Sequence, residues 1–116
     1  MKFDLLTGEI VIDTWTILYE TQQGGKFNGK LTVTNQRLLY DAKFDVSAQG
    51  LLEEVLFVKW GSEGYVVIPK ERIIDVKVSK SLFSKKVILT LDNNSQHTFN
   101  YGMLNIDPVV EAINRK

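Results

Sequence analysis

The sequence predicts a mainly β fold: about seven antiparallel strands, closed or nearly closed into a small barrel, with one short C-terminal helix covering an open end, a pattern that small SH3-like or OB-type barrels also fit. Three observations predict it. Apolar residues recur with a period of two rather than 3.6 along most of the chain. The β-prone runs are separated by short segments rich in glycine, asparagine, aspartate and serine, which favour turns. Only near the end, at Asp107-Pro108, does the pattern change to that of a helix start.

The first strand spans Ile10 to Glu20, with Val11, Trp15, Ile17 and Tyr19 on one face and Thr14, Thr16 and Glu20 on the other. Asp13 breaks the apolar face. Gln22-Gln23-Gly24-Gly25 supplies a loop running to Asn28, because glycine takes positive φ without a Cβ clash. Lys30–Thr34 and Arg37–Ala42 are strands separated by Asn35-Gln36, a spacing that predicts a tight hairpin with asparagine in a left-handed conformation. Residues Lys43 to Gly50 read as loop, Val55–Trp60 as a short strand and Gly61–Gly64 as a turn. Tyr65–Ile68 is the next strand and ends at Pro69, which has no amide hydrogen for a ladder. Ile73–Val78 alternates, with Ile74, Val76 and Val78 opposite Asp75 and Lys77. Lys86–Leu91 and Gln96–Tyr101 form a hairpin across Asp92-Asn93-Asn94-Ser95. In the final helix Asp107 is the expected N-cap and Pro108 the first helical residue. Ile106, Val109, Val110 and Ile113 form its apolar stripe, and Arg115-Lys116 suit the negative end of its dipole.

With 116 residues and no linker, repeat or low-complexity segment, residues 1–116 form one domain. Hydrophobic residues make up 44% and charged residues 24%, an ordinary globular balance that argues against disorder. Fourteen basic and fourteen acidic residues cancel, so attraction to a polyanion must be local. Without cysteine there are no disulfides, thiolate nucleophiles or cysteine-ligated metals. The charged start Met1-Lys2-Phe3-Asp4 resembles neither a signal peptide nor a membrane span, which points to a soluble, cytoplasmic chain.

Gly29-Lys30-Leu31-Thr32-Val33-Thr34-Asn35-Gln36-Arg37-Leu38-Leu39-Tyr40 resembles the G-x-L-x-(V/L)-T-N-x-R-L stretch of GRAM domains. Val67-Ile68-Pro69-Lys70-Glu71-Arg72-Ile73-Ile74-Asp75-Val76 looks like that family's I-P-x-x-x-I-x-x-V strand. Val87-Ile88-Leu89-Thr90-Leu91 with Phe99 looks like its later hairpin. The resemblance runs from about Glu9 to Ile113 and departs from the family between Lys43 and Gly64. It implies a pleckstrin-homology-like fold, with two nearly orthogonal sheets and a helix at one end. It also implies a role in binding lipid or protein.

One segment carries a charge excess. From Lys70 to Lys86 there are six basic residues against Glu71 and Asp75, a net +4. Within it, Lys80-Ser81-Leu82-Phe83-Ser84-Lys85-Lys86 reads as a loop with two apolar residues framed by lysines. Lys77, Lys80, Leu82, Phe83, Lys85 and Lys86 are therefore the candidate contacts for an anionic phospholipid membrane. In the competing arrangement Phe83 folds back to close the barrel end and the lysines only protect an edge. A partner protein could instead add a strand to a sheet edge beside the C-terminal helix. Arg37 suits a salt bridge or hairpin hydrogen bond better than a phosphate, and the loop after the first strand offers only Lys26 as a base.

Catalysis has little to stand on. The sequence has no nucleophile–base pair, glycine-rich phosphate loop or His–Glu motif, so no enzyme activity and no cofactor are expected. His97, the sole histidine, reads as a solvent-facing strand residue, and no metal spacing surrounds it. Trp15 and Trp60 read as core-filling residues. The paired aromatics with interleaved bases of RNA-binding modules are absent, so no nucleic-acid partner is expected.

Overall fold

The computed structural model describes residues 4–22, 24–42, 58–59 and 65–115. Its strands are β1 (Val11–Thr21), β2 (Lys26–Thr34), β3 (Arg37–Ala42), β4 (Val58–Lys59), β5 (Tyr65–Pro69), β6 (Ile73–Lys80), β7 (Lys85–Leu91) and β8 (Gln96–Asn100). A 3-10 turn at Lys70–Arg72 joins β5 to β6, and helix α1 covers Asp107–Asn114. All the strands belong to one antiparallel sheet in the order β4-β5-β3-β2-β1-β8-β7-β6. Seven strands have five or more residues, which matches the expected number; β4 is a two-residue addition. The sheet is not closed: β5 and β6 follow one another in the chain but are not paired. The expected strand at Val55–Trp60 is described only at β4. The remainder of that strand, the loop after Ala42 and the Gly61–Gly64 turn lie outside the described residues.

Strand β1 serves both halves of the sheet. Val11–Glu20 pair with β2, while Leu18–Thr21 pair with β8. A register shift between Val11 and Asp13 turns Ile12 toward the core and leaves Val11 exposed, contrary to a single alternation through the strand. Strand β2 begins at Lys26 instead of Lys30, because the Phe27, Gly29, Leu31, Val33 face continues the buried row back to the Thr21–Gly25 turn. Gly29 is required by close strand approach: a Cβ there would lie 2.1 Å from the Asp41 carbonyl oxygen.

The inner faces meet in a core of Ile17, Tyr19, Phe27, Leu31, Val33, Leu38, Tyr40, Val66, Ile68, Val87, Leu89, Leu91 and Phe99, with Trp15 packed at its margin. Helix α1 adds Ile106, Val109, Ala112 and Ile113. The helix begins one residue earlier than expected. Ile106 occupies the N-cap position, Asp107 is the first helical residue, and the Asn105 side chain receives the Asp107 amide. At the other end no basic residue of the helix serves its carbonyls. The Lys70 ammonium does so, donating to the carbonyl of Ala112 at 2.7 Å and to that of Arg115. Burial and the nearby Arg115 lower the Lys70 pKa from 10.5 to about 8.

The β2–β3 hairpin turns without a left-handed asparagine. The Thr34 hydroxyl accepts the amides of Gln36 and Arg37, so Asn35 needs no positive φ. The same four residues clamp the segment before β1. Asn35 exchanges hydrogen bonds with Ile10 and Gly8, Gln36 donates to the Thr7 carbonyl, and Arg37 donates to the Asp4 carbonyl. The centre of this clamp is the buried carboxylate of Glu9, which accepts from the Leu6 amide, the Thr34 hydroxyl and the Arg37 guanidinium. Burial works to raise its pKa, but these donors and the Arg37 charge outweigh it and lower it from 4.5 to about 2.

His97 does not face solvent as expected. It is buried, 2% exposed, because it alternates with Phe99 on the inward face of β8. Its Nδ1 lies 2.6 Å from the Tyr19 hydroxyl and its Nε2 3.2 Å from Ser95 Oγ. Burial lowers its pKa from 6.5 to about 4.

Candidate functional site

The β6–β7 hairpin lies at one side of the sheet, paired from Ile73↔Leu91 to Lys80↔Lys85, with β7 also paired to β8. Its four-residue tip, Ser81–Ser84, is tied by its two serines. The Ser81 amide donates to the Ser84 carbonyl at 2.9 Å, the Ser84 amide donates to Ser81 Oγ, and the two hydroxyls lie 3.1 Å apart. The Lys85 ammonium reaches back to the Ser81 carbonyl at 2.5 Å. With polar atoms of the tip turned on one another, the apolar side chains point out: Leu82 is 76% exposed and Phe83 71%. Phe83 does not fold back to close the barrel end.

The four candidate lysines differ in how much charge they leave unmatched. Lys80 pairs with Asp107 at the start of α1, 2.8 Å away, and Lys86 pairs with Glu20 on β1 at 3.2 Å. Glu20 is held in its charged form: burial would raise its pKa, but hydrogen bonds from Asn100 and Lys86 and the charges of Lys86 and Lys26 lower it. Lys85 donates to neutral carbonyls and has no ion pair among the described residues. Lys77 stands on the exposed face of β6 with no ion pair among the described residues. The hairpin end thus carries four lysines facing two carboxylates, a local excess of positive charge beside two outward apolar side chains.

Lys80 and Lys70 also locate α1. One meets the N-terminal residue of the helix from the end of β6, and the other meets its C-terminal carbonyls from the turn just before β6. The helix therefore runs antiparallel to β6. On that strand the register shift between Ile73 and Asp75 gives the inward position to Ile73 and makes Ile74 the bulged residue, 62% exposed, where alternation alone would bury it. Val78 is 43% exposed on the same strand, which among the described residues has a pairing partner on one side only.

Other places offer less chemistry. A surface cleft of about 730 Å³ lies between the N-terminal segment and the β5–β6 turn, lined by Leu6, Arg37, Val67, Pro69, Lys70 and Ile73 among others. Its two cations are already engaged, Arg37 with Glu9 and Lys70 with the helix carbonyls. Arg37 is accordingly a structural ion-pair residue. The Ser95–His97–Tyr19 line has nucleophile-like membership, yet Tyr19 keeps its proton, its pKa being raised by burial and by Tyr40. Tyr19 then donates to Nδ1, Nε2–H faces Ser95, and Ser95 donates to Asn93 Oδ1 at 2.6 Å, the reverse of general-base activation. No group of three or more metal-ligating side chains occurs among the described residues. No helix among them is long and apolar enough to cross a membrane.

No family model matches the chain, and no curated protein matches it. A solved structure does: the C-terminal domain of an unknown protein from Leishmania infantum superposes with a TM-score of 0.66 at 16% identity. The match covers 92% of this chain and 83% of that one. At that identity the likeness extends to the fold alone.

Proposed function

We propose that the chain is a non-catalytic binding module of the GRAM type, with a pleckstrin-homology-like fold, that associates peripherally with anionic phospholipid membranes through the β6–β7 tip. The observation that supports this reading is the outward placement of Leu82 and Phe83 beside lysines whose charge is incompletely matched. Electrostatics alone would not hold it. Lysines near an anionic surface contribute about 1 kcal/mol each, and two of the four here are offset by Glu20 and Asp107. Burying a Leu or Phe side chain contributes about 1.5–3 kcal/mol when complete, so the two apolar residues supply the larger part. The hydrogen bonds within the tip lower the cost of taking its backbone out of water.

The test is sedimentation with vesicles of phosphatidylcholine alone or with phosphatidylserine added. Binding is expected only to the anionic vesicles, weakening with salt. The Leu82→Ser/Phe83→Ser pair is expected to weaken it about tenfold or more, since 1.4 kcal/mol is one decade. No binding to anionic vesicles at low ionic strength would refute the reading.

A protein-interaction or scaffold role is the second reading, favoured by the exposed Ile74 and Val78 on edge strand β6 beside α1. An extended segment could add there as a further strand. Substituting Ile74 and Val78 by lysine would abolish such binding without weakening vesicle binding.

A further inference from the structure

A second loop is fastened to the base of the hairpin tip. Beyond β8, the chain from Tyr101 to Ile106 leads into α1, and it is joined to Lys85 on both sides of that residue. The Lys85 amide donates to the Gly102 carbonyl at 2.7 Å, and the Tyr101 amide donates to the Lys85 carbonyl at 2.8 Å. Gly102 takes φ +64, which turns the chain outward, and its amide is held by Asn100 Oδ1 at 2.8 Å. The Leu104 amide returns to the Tyr101 carbonyl at 3.2 Å. The two residues at the crest of this turn are apolar and uncovered: Met103 is 70% exposed and Leu104 59%.

Leu82, Phe83 and Met103 are the three most exposed large hydrophobic residues described, and all three sit in these two adjoining loops. Lys85 links the loops. Its backbone bonds the second and its ammonium bonds the carbonyls of the first, so a positive charge lies at the joint. The Lys80–Asp107 pair spans the same two segments from the side. Loops whose backbones are hydrogen-bonded to one another in this way present their apolar residues together at a reduced ordering cost on docking. An apolar crest with cations at its base matches a layer whose surface is anionic and whose interior is hydrocarbon.

We propose that Met103 and Leu104 form a second insertion point, so that the protein docks on an anionic phospholipid interface through two adjacent loops at once. This rests on the reading of the β6–β7 tip as a membrane contact. Two short apolar points reach a combined affinity that neither attains alone, as linked contacts do.

The native chain has no cysteine, so single labelling sites can be placed at will. Phe83→Cys, Met103→Cys and, at the opposite end of the β7–β8 hairpin, Gln96→Cys would each carry an environment-sensitive fluorophore. Each would be mixed with phosphatidylcholine vesicles with and without phosphatidylserine. Blue shifts at positions 83 and 103 on anionic vesicles, with none at 96, are expected. The unlabelled Met103→Ser/Leu104→Ser variant should lose about tenfold in vesicle partition with an unchanged melting temperature. A shift at 83 without one at 103 would overturn the two-loop proposal and leave the tip reading standing. No shift at either, with no sedimentation, would remove both. Shifts that appear without vesicles as protein concentration rises would assign the crest to a second copy of the chain and overturn the proposal as well.

Discussion

Replacing Glu9 by glutamine isolates the interaction that fastens the N-terminal segment to the β2–β3 hairpin. The Glu9 side chain has no solvent exposure, and its Arg37 partner is only 14% exposed. The folded state lowers the Glu9 pKa from 4.5 to about 2. At about 1.4 kcal/mol per pKa unit, the ionised form stabilises the fold by about 3 kcal/mol relative to the protonated one. The sign follows from which state holds the proton. Between pH 4.5 and 2 the unfolded chain is protonated at this position and the folded chain is not, so the contribution is complete above pH 4.5 and is lost as pH falls toward 2. Glu9→Gln should therefore cost about 3 kcal/mol at pH 7, or roughly 10 °C in melting temperature for a domain this size. The cost should shrink toward zero near pH 2, where the wild-type side chain is itself neutral. Urea unfolding followed by far-ultraviolet circular dichroism at a series of pH values measures the difference directly, and comparing the two proteins cancels other acid-sensitive groups. A difference that stays constant from pH 7 to pH 2.5, or one below about 0.5 kcal/mol at pH 7, would refute the reasoning, since charge-assisted bonds to a buried carboxylate are worth more.

His97 should act in a separate window. Its folded-state pKa is lowered from 6.5 to about 4, so the wild type should lose stability as pH falls from 6.5 to 4, by up to about 1.4 kcal/mol per unit. His97→Gln should flatten that part of the pH profile, and an unchanged slope would show that the ring is not held neutral. Gly29→Ala should lower the melting temperature severely or prevent folding, because its Cβ would fall 2.1 Å from the Asp41 carbonyl oxygen and 2.8 Å from the Ala42 Cα. Thermal denaturation within a few degrees of wild type would contradict the strand spacing there.

Much of the sheet was legible because buried rows in half-covered strands obey a period of two. Ile17 and Tyr19, Leu31 and Val33, and Val87, Leu89 and Leu91 occupy the face that alternation assigns them. The same rule, carried two residues back from Phe99, places His97 in the core, although a polar ring by type alone suits a solvent-facing position. Bulges were not legible. At Val11–Asp13 and Ile73–Asp75 one extra residue shifts the face, and no composition signal marks either site. The Gly-x-Leu-x-Val-Thr-Asn-x-Arg stretch was visible as a pattern, but its physical basis was not. Gly29 admits a neighbouring backbone, while Thr34, Asn35 and Arg37 hold a segment 25 or more residues away. Of the candidate site, the apolar pair and its lysines were readable as a local run. The ion-pair partners Asp107 and Glu20, and the adjoining Met103-Leu104 crest, come from distant segments that only the strand order brings together.

The double duty of β1 has a consequence for how the molecule assembles. Its bonds to β2 close a short loop, but its contacts with β8 join positions 80 residues apart, as in the Asn100–Glu20 hydrogen bond. Closing so long a chain segment is entropically slow compared with forming the local hairpins β1–β2, β2–β3, β6–β7 and β7–β8. The meeting of β1 with β8 is thus expected to come late in folding, bringing Tyr19 against His97 and Phe99 in the same event. Until then, β1 and β8 are each expected to leave an unpaired strand edge, the kind of edge to which another chain can add.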